Sequence, residues 1–482
     1  MKRTLLFSLL ILFFLNGFCH SGKAKFHVII DTDAALDDMR AISMMLATNE
    51  IEVLAITTSD GLMAADAGLM KVRALLKTYG HEGVYSAKGI NCNRKSIACR
   101  SFLKDVFWGD ENDINTESTN SATELILNSI KNEDEKVSLV CLGPLTNIAN
   151  VFKTDKKTFL KIDKIFWYCD SENNLNYELD KTAADIVINS GITIYKISSE
   201  DGKELFVNDE IINNYSKIHS KYSKHLFKAH NTIAVRNKID GACMKLWDDL
   251  LPVFMLYPEL FSVNKEKDNS SVYLVKCLVC SMIKEKIYQL LSDRNSESIV
   301  FIQFPVDSNL FANDVKNCMN KVIQSHGYSE WRAGVLTNEL HGHLGIYSIV
   351  GTKMGMRARE YFNIGVDDIK ILSFAGKQPP FSCLNDGLQV STGATIGHGL
   401  IEISEDKNHT SAAIFTFKNI SIKISLKQNY QDIIKNDIKE AIKKNGNLTP
   451  EYWKYVRILA LQYWANWSRN EIFELEILNK KL

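Results

Sequence analysis

Between Lys25 and about Glu200, short apolar runs alternate with amphipathic helical patterns, and that alternation permits few folds. Strands are expected at Val28–Asp31, Val53–Thr57, Val137–Leu142, Ile162–Tyr168 and Ile192–Ile197. Helices are expected at Leu36–Ala47, Ala65–Leu76, Ala122–Ile130, Leu145–Phe152 and Thr182–Ile188. Mostly apolar runs separated by helices imply cover on both faces. This predicts an α/β fold, an open and mostly parallel sheet with helices on both sides and right-handed crossovers. Ligands of such sheets bind beyond the carboxyl ends of the strands. Asp33, Ser59-Asp60, Leu142-Gly143 and Asp170 fall at those ends and are expected to share one crevice.

The first of those ends is dense in acid. Val28-Ile29-Ile30 runs into Asp31-Thr32-Asp33, and Asp37-Asp38 follow on the first turn of a helix whose apolar face is Leu36, Met39, Ile42, Met45 and Leu46. Four like charges at one turn repel unless a cation, a helix N-terminus or a shared proton neutralises them. A hard divalent ion suits such oxygens, and Ca²⁺ fits carboxylates plus backbone carbonyls. Two other readings stand beside this one. One is a helix that merely begins with acids. The other is the Asp-x-Asp nucleophile pair of a haloacid-dehalogenase-type phosphatase, although Ala35 stands where that signature wants Thr or Val.

Asp31-Thr32-Asp33-x-x-x-Asp37-Asp38 resembles the opening fingerprint of the inosine-uridine preferring nucleoside hydrolase family, with Ala34-Ala35 in place of Pro-Gly. Three further segments match that family in order. Leu142-Gly143-Pro144-Leu145-Thr146-Asn147-Ile148-Ala149 is similar to the stretch whose residue before the glycine, here Leu142, offers its carbonyl to calcium. Asn174-Leu175-Asn176 through Ala184 resembles the sugar-binding loop, with the ribose ligand at Asn176 and Asn174 replacing a Glu. Leu62 stands where many members carry a ribose-contacting Asn. Trp247-Asp248-Asp249-Leu250 is similar to the family's His-Asp-Pro-Leu, which places a metal ligand at Asp248 and a tryptophan where the general acid often sits.

The resemblance implies calcium held by Asp33, Asp38, Asp248 and the Leu142 carbonyl, with Asp33 also the general base. It implies that Asp37 and Asn176 hold the ribose, and that Trp247 stacks on a purine with Trp108 as the opposing face. The substrate class implied is a small nucleoside. A nucleoside- or ribose-binding protein without turnover is the alternative that Leu62, Asn174 and Trp247 suggest.

Lys+Arg and Asp+Glu both number 57, so nothing in the charge favours nucleic acid or a membrane surface. Lys2-Arg3, the apolar run Leu5–Leu15 and Cys19-His20-Ser21 read as a signal peptide over residues 1–21. The chain after cleavage is then exported and free of the membrane, with self-association left open. Beyond Cys19 there are nine cysteines, an odd count that argues against a full disulfide framework; Cys92 and Cys99, in a polar loop, are the expected pair.

Residues 25–325 form the expected first domain and 326–482 a second, smaller α+β domain. His341-Gly342-His343 would face both imidazoles one way on a strand, and Cys383 with Asp386 adds soft and hard ligands. His and Cys together suit zinc or a similar transition metal, while a structural histidine pair is the plainer reading. The His-Gly-His opening and the core Cys383-x-x-Asp386-Gly-x-Gln-x-x-Thr-Gly-Ala-Thr-x-Gly are similar to the E-subunit family of formylmethanofuran dehydrogenase. That resemblance carries a fold and a metal expectation only. A helix is expected at Gly351–Tyr361, a strand at Ile369–Phe374, and an aromatic helix over Tyr452–Phe473.

Overall fold

The computed structural model describes residues 24–480, apart from 93–99, 113, 116, 118–119, 170, 200–204, 241–243, 268, 293–299, 302 and 367–368. The expected signal peptide, Cys99, Asp170 and Cys243 therefore lie outside the described residues.

In the first half, β1 (Phe26–Thr32), α1 (Leu36–Ala47), β2 (Ile51–Thr58), α2 (Ala65–Tyr79) and β3 (Tyr85–Lys88) are followed by α3 (Ala122–Asn132), β4 (Val137–Cys141) and α4 (Thr146–Thr154). Then come β5 (Lys164–Tyr168), α5 (Lys181–Ile188), β6 (Thr193–Ser198), α6 (Lys221–His230), α7 (Leu250–Leu256), β7 (Phe261–Lys265) and β8 (Val272–Cys277). The eight strands form one sheet in the order β3-β2-β1-β4-β5-β6-β8-β7, and every pair is parallel except β7 with β8. The α/β expectation holds. Val28, Ile29 and Ile30 are all fully buried, because helices cover both faces of β1. β1 is an interior strand between β2 and β4, so the turn after it opens along the sheet's carboxyl edge and not at a side of the sheet.

The second half has its own core. α8 (Asn313–His326), α9 (Tyr328–His341), α10 (Ile346–Phe362) and α11 (Leu384–Thr392) pack with α12 (Gln428–Asn445) and α13 (Pro450–Asn466). The strands β9 (Lys370–Ser373), β10 (Ile401–Ile403), β11 (Ala412–Phe417), β12 (Ile420–Leu426) and β13 (Phe473–Lys480) form a sheet in the order β10-β9-β11-β12-β13. Val315, Met319 and Val322 of α8 belong to this core, which starts at Phe304. The change of core thus falls ahead of the 325/326 boundary read from the sequence. Every residue of α10 is buried, so its charged side chains must find partners inside. Close approach of α10 and α11 needs a bare backbone at Gly351, where a Cβ would stand 2.1 Å from the Leu384 carbonyl oxygen.

The two halves meet along the turn after α2 and the end of α10. Gly83 donates its amide to the Tyr361 carbonyl at 2.9 Å, and His81 Nδ1 pairs with the Glu360 carbonyl at 2.5 Å. Arg357 spans the seam to the Gly80 carbonyl and to Glu82. No helix among the described residues is long and apolar enough to cross a membrane.

Candidate active site

The crevice is built where β1 turns into α1. Asp31 ends its strand inside the sheet and accepts from Thr57 Oγ1 at 2.6 Å and Asn147 Nδ2 at 2.8 Å. Ala34 then takes a left-handed φ of 57°, rare for a residue with a Cβ, and its amide donates to Thr32 Oγ1. This tight turn sets Asp37 and Asp38 on the first turn of α1, where the helix N-terminus favours negative charge. Asp38 Oδ1 accepts from Thr32 Oγ1 at 2.5 Å and from the Asp33 amide at 3.1 Å.

Asp248 arrives from a segment far along the chain. One carboxylate oxygen each from Asp37, Asp38 and Asp248 lies within 4.8 Å of the others. Asp33 lies beside them, with Oδ2 accepting from the Leu62 amide at 2.7 Å. Gly61 packs so tightly on Asp33 that a Cβ there would sit 2.1 Å from Oδ2. Asp33 Oδ1 and Asp248 Oδ1 are buried without a hydrogen-bond partner.

Burial raises all four carboxyls: Asp33 to about 7, Asp37 to about 6, and Asp38 and Asp248 well above the usual range, with their mutual repulsion adding to it. A set of buried carboxylate oxygens, two of them bare, is what a hard divalent cation would satisfy. The residues present fit a calcium ion. The Leu142 carbonyl accepts from Asn176 Nδ2 at 2.9 Å, so these two predicted residues also meet. Asn176 Nδ2 reaches the Tyr168 carbonyl as well. Asn174 caps the short turn by accepting from the Asn176 amide, which gives it a structural task in place of the expected Glu.

Trp247 is half-buried next to Asp248. Trp108 offers no free ring. It is 1% exposed and packs between His225 and His230, so neither ring face is open to a base. The reason is Lys71, whose ammonium binds the Lys104 and Val106 carbonyls and draws that loop into the core.

One arrangement escaped the sequence reading. Arg40, one turn after Asp37, makes a two-pronged pair with Asp249 at 2.8 and 2.7 Å, both side chains fully buried. Arg40 also donates to the Lys245 carbonyl. The helix carrying Asp37 and Asp38 is thereby fastened to the residue beside Asp248. The signal was a charge at an otherwise apolar stretch of α1, Met39-Arg40-Ala41-Ile42, since a buried guanidinium needs an acid partner.

In the second half the four predicted ligands assemble only in part. His341 ends α9 and Gly342 reverses the chain at φ 76°, so the His-Gly-His segment is a helix terminus and not a strand. His341 Nδ1 bonds Asp386 Oδ2 at 2.7 Å, and its Nε2 is buried without a partner. The His343 ring lies 4.3 Å from that of His341 and leans on Trp453. Cys383 stands half-buried at the start of α11, its thiol pushed up by burial and by Asp386. Among the described residues, no three of these four bring ligand atoms within 4.8 Å of one another.

Residues 28–311 match the family model described as inosine-uridine preferring nucleoside hydrolase. Residues 340–474 match the one described as FmdE, molybdenum formylmethanofuran dehydrogenase operon. Uridine nucleosidase 1 of Arabidopsis thaliana is 28% identical over 259 residues, 49% of this chain and 76% of that protein. A pyrimidine-specific ribonucleoside hydrolase of Photobacterium profundum is 26% identical over 256 residues, 49% of this chain and 81% of its own. Among solved structures, the purine-preferring ribonucleoside hydrolase from Gardnerella vaginalis aligns at 19% identity and a TM-score of 0.47, over 55% of this chain and 98% of that one.

Proposed function

Because this chain belongs to the inosine-uridine preferring nucleoside hydrolase family, we propose that it cleaves ribonucleosides, purine nucleosides foremost, to ribose and free base in the aspartate crevice with Ca²⁺ bound. The observation that carries this is the convergence of Asp37, Asp38 and Asp248 beside an Asp33 oxygen that is buried and bare. Asp33, Asp38, Asp248 and the Leu142 carbonyl hold the ion. Bound there, it would offset the acids and lower the pKa of a water.

Asp33 takes the proton of the attacking water. Its Oδ2 is anchored by the Leu62 amide, which holds the carboxylate in one orientation. Asp37 and Asn176 position ribose hydroxyls while an oxocarbenium-like sugar develops. Trp247 stacks on the leaving base and makes a purine easier to protonate, the task that a histidine at this position would otherwise perform.

The second half binds zinc, a similar metal or a small ligand beside the His341–Asp386 pair, supported by the bare His341 Nε2. Export through residues 1–21 completes the reading. A panel of nucleosides with and without Ca²⁺, scored for released ribose, tests it. Inosine should outpace uridine, and Trp247→Ala should slow inosine; equal inosine rates in both proteins would remove the stacking role. No ribose from any nucleoside would leave a binding protein.

A further inference from the structure

The opposite edge of the large sheet carries a second cluster. His27 lies near the start of β1, Glu52 is its register partner on β2, and Glu133 follows α3 just ahead of β4. His27 is 8% exposed, and its Nδ1 is buried without a hydrogen-bond partner. That nitrogen stands 3.5 Å from Glu52 Oε2 and 3.5 Å from Glu133 Oε1. The other oxygen of each carboxylate is held at 2.5 Å by Lys418 Nζ, which reaches across from the turn between β11 and β12.

The separations discriminate between two states of this cluster. A charge-assisted N–H···O⁻ bond closes to about 2.7–2.9 Å, so 3.5 Å is a poor one. Around a tetrahedral zinc, with bonds of about 2.0–2.2 Å, neighbouring ligand atoms stand about 3.4 Å apart. Both separations from the imidazole therefore match a coordination shell without its centre, and one ligand atom from each of the three residues lies within 4.8 Å of the others. One imidazole and two carboxylates are also a donor set that zinc accepts. Lys418 occupies only the outward oxygens, the place of a group that orients ligating carboxylates from behind. A cavity of about 80 Å³ lined by Glu52, Glu133, Lys418, Tyr85 and Phe417 adjoins the cluster, room enough for a water as a fourth ligand.

We propose that His27, Glu52 and Glu133 bind a zinc-type divalent cation at the seam between the two halves. The ion is structural. It lies at the amino edge of the sheet, away from the aspartate crevice, and it stiffens the carboxylates onto which the β11–β12 turn docks through Lys418.

The test uses the full-length protein stripped with a chelator, then titrated with Zn²⁺ and, separately, with Co²⁺ as a spectroscopic probe. Wild type should take up one Zn²⁺ equivalent more than His27→Gln, and Glu52→Gln should lose the same equivalent or bind it at least about 100-fold more weakly. Asp38→Asn should keep it, which separates this site from the crevice. Tetrahedral Co²⁺ absorption should diminish in both cluster variants while their circular dichroism matches wild type. Equal Zn²⁺ stoichiometry and affinity in wild type, His27→Gln and Glu52→Gln would overturn the proposal and leave an ion-pair network only.

Discussion

At the mouth of the large sheet, Asp33, Asp38 and Asp248 are buried beside the half-buried Asp37, and Arg40, the cation that acts on Asp37, is committed to Asp249. Across the seam, Glu330 and Glu360 are buried as deeply. There Lys353 pairs with Glu330 at 2.5 Å, Arg469 bridges Glu330 and Glu360, and Lys221 meets Glu360 at 2.5 Å. Burial pushes every one of these carboxyls upward. In the second network the lysines and Arg469 outweigh it and pull both glutamates below their ordinary range, while the aspartates stay high. Glu330 and Glu360 find their cations within the chain, whereas the crevice aspartates do not.

Substituting one member of each cluster should therefore have opposite consequences. The largest effect is expected for Asp38→Asn, which removes a central ligand and should lower Ca²⁺-dependent ribose release by about 10³-fold or more, read in a steady-state nucleoside assay. Next is Glu360→Gln, which removes the acid shared by Arg469 and Lys221 and leaves Arg469 with Glu330 alone, and should cost about 3–5 kcal/mol in urea unfolding. In chelator, Asp38→Asn should go the other way and stabilise the protein by about 1–2 kcal/mol, because it removes an uncompensated buried charge. A loss of stability there would erase the contrast.

Acid sharpens the comparison through buried histidines. Burial lowers His225 and His326 from 6.5 to about 4 and His230 to about 3. Their folded values lie below the unfolded one, so the unfolded chain takes protons first. The stability they contribute is complete above pH 6.5 and falls as the pH drops towards 4. Between pH 7 and 5 each should cost on the order of 2 kcal/mol, measured by unfolding at fixed salt, and His326→Gln should flatten part of that slope. Glu360 yields only in stronger acid, as the pH falls through its depressed value. The smallest effect belongs to Ala34→Gly, which relieves a left-handed residue and should change stability by less than about 1 kcal/mol.

The central strands and their helices were legible because their residues carry an unbroken apolar signal. α1 keeps the bounds expected, Leu36–Ala47, and β4 and β5 differ only at their ends. Edge strands such as β3, with only one buried residue of four, gave no such signal. In the second half, His-Gly-His has the alternation of a strand, yet Gly342 in the left-handed region makes it a helix stop. The aromatic helix ends at Asn466, and Phe473 starts β13 instead. The segment after Cys383 opens with a helix, α11, whose Gly387 lets it pack closely on α10, while Gly393 ends the helix and Gly397 and Gly399 fall in the turn that follows.

The crevice was readable where its ligands are neighbours in sequence. Asp33, Asp37 and Asp38 sit within one strand-turn-helix, whereas the Arg40–Asp249 pair joins residues 209 positions apart. Trp108 was expected to face a base across from Trp247, but the Lys71 ammonium, bound to the Val106 carbonyl, ties its loop to the core.

The seam along Gly83, His81 and the last turn of α10 has a consequence for how the protein is made and lost. Each half supplies backbone partners that the other cannot find in itself. A ribosome stopping after the first half would release a chain with an unfinished wall, so whatever the second half does is delivered to the cell in one-to-one proportion with the first, and a lesion that unfolds either silences both.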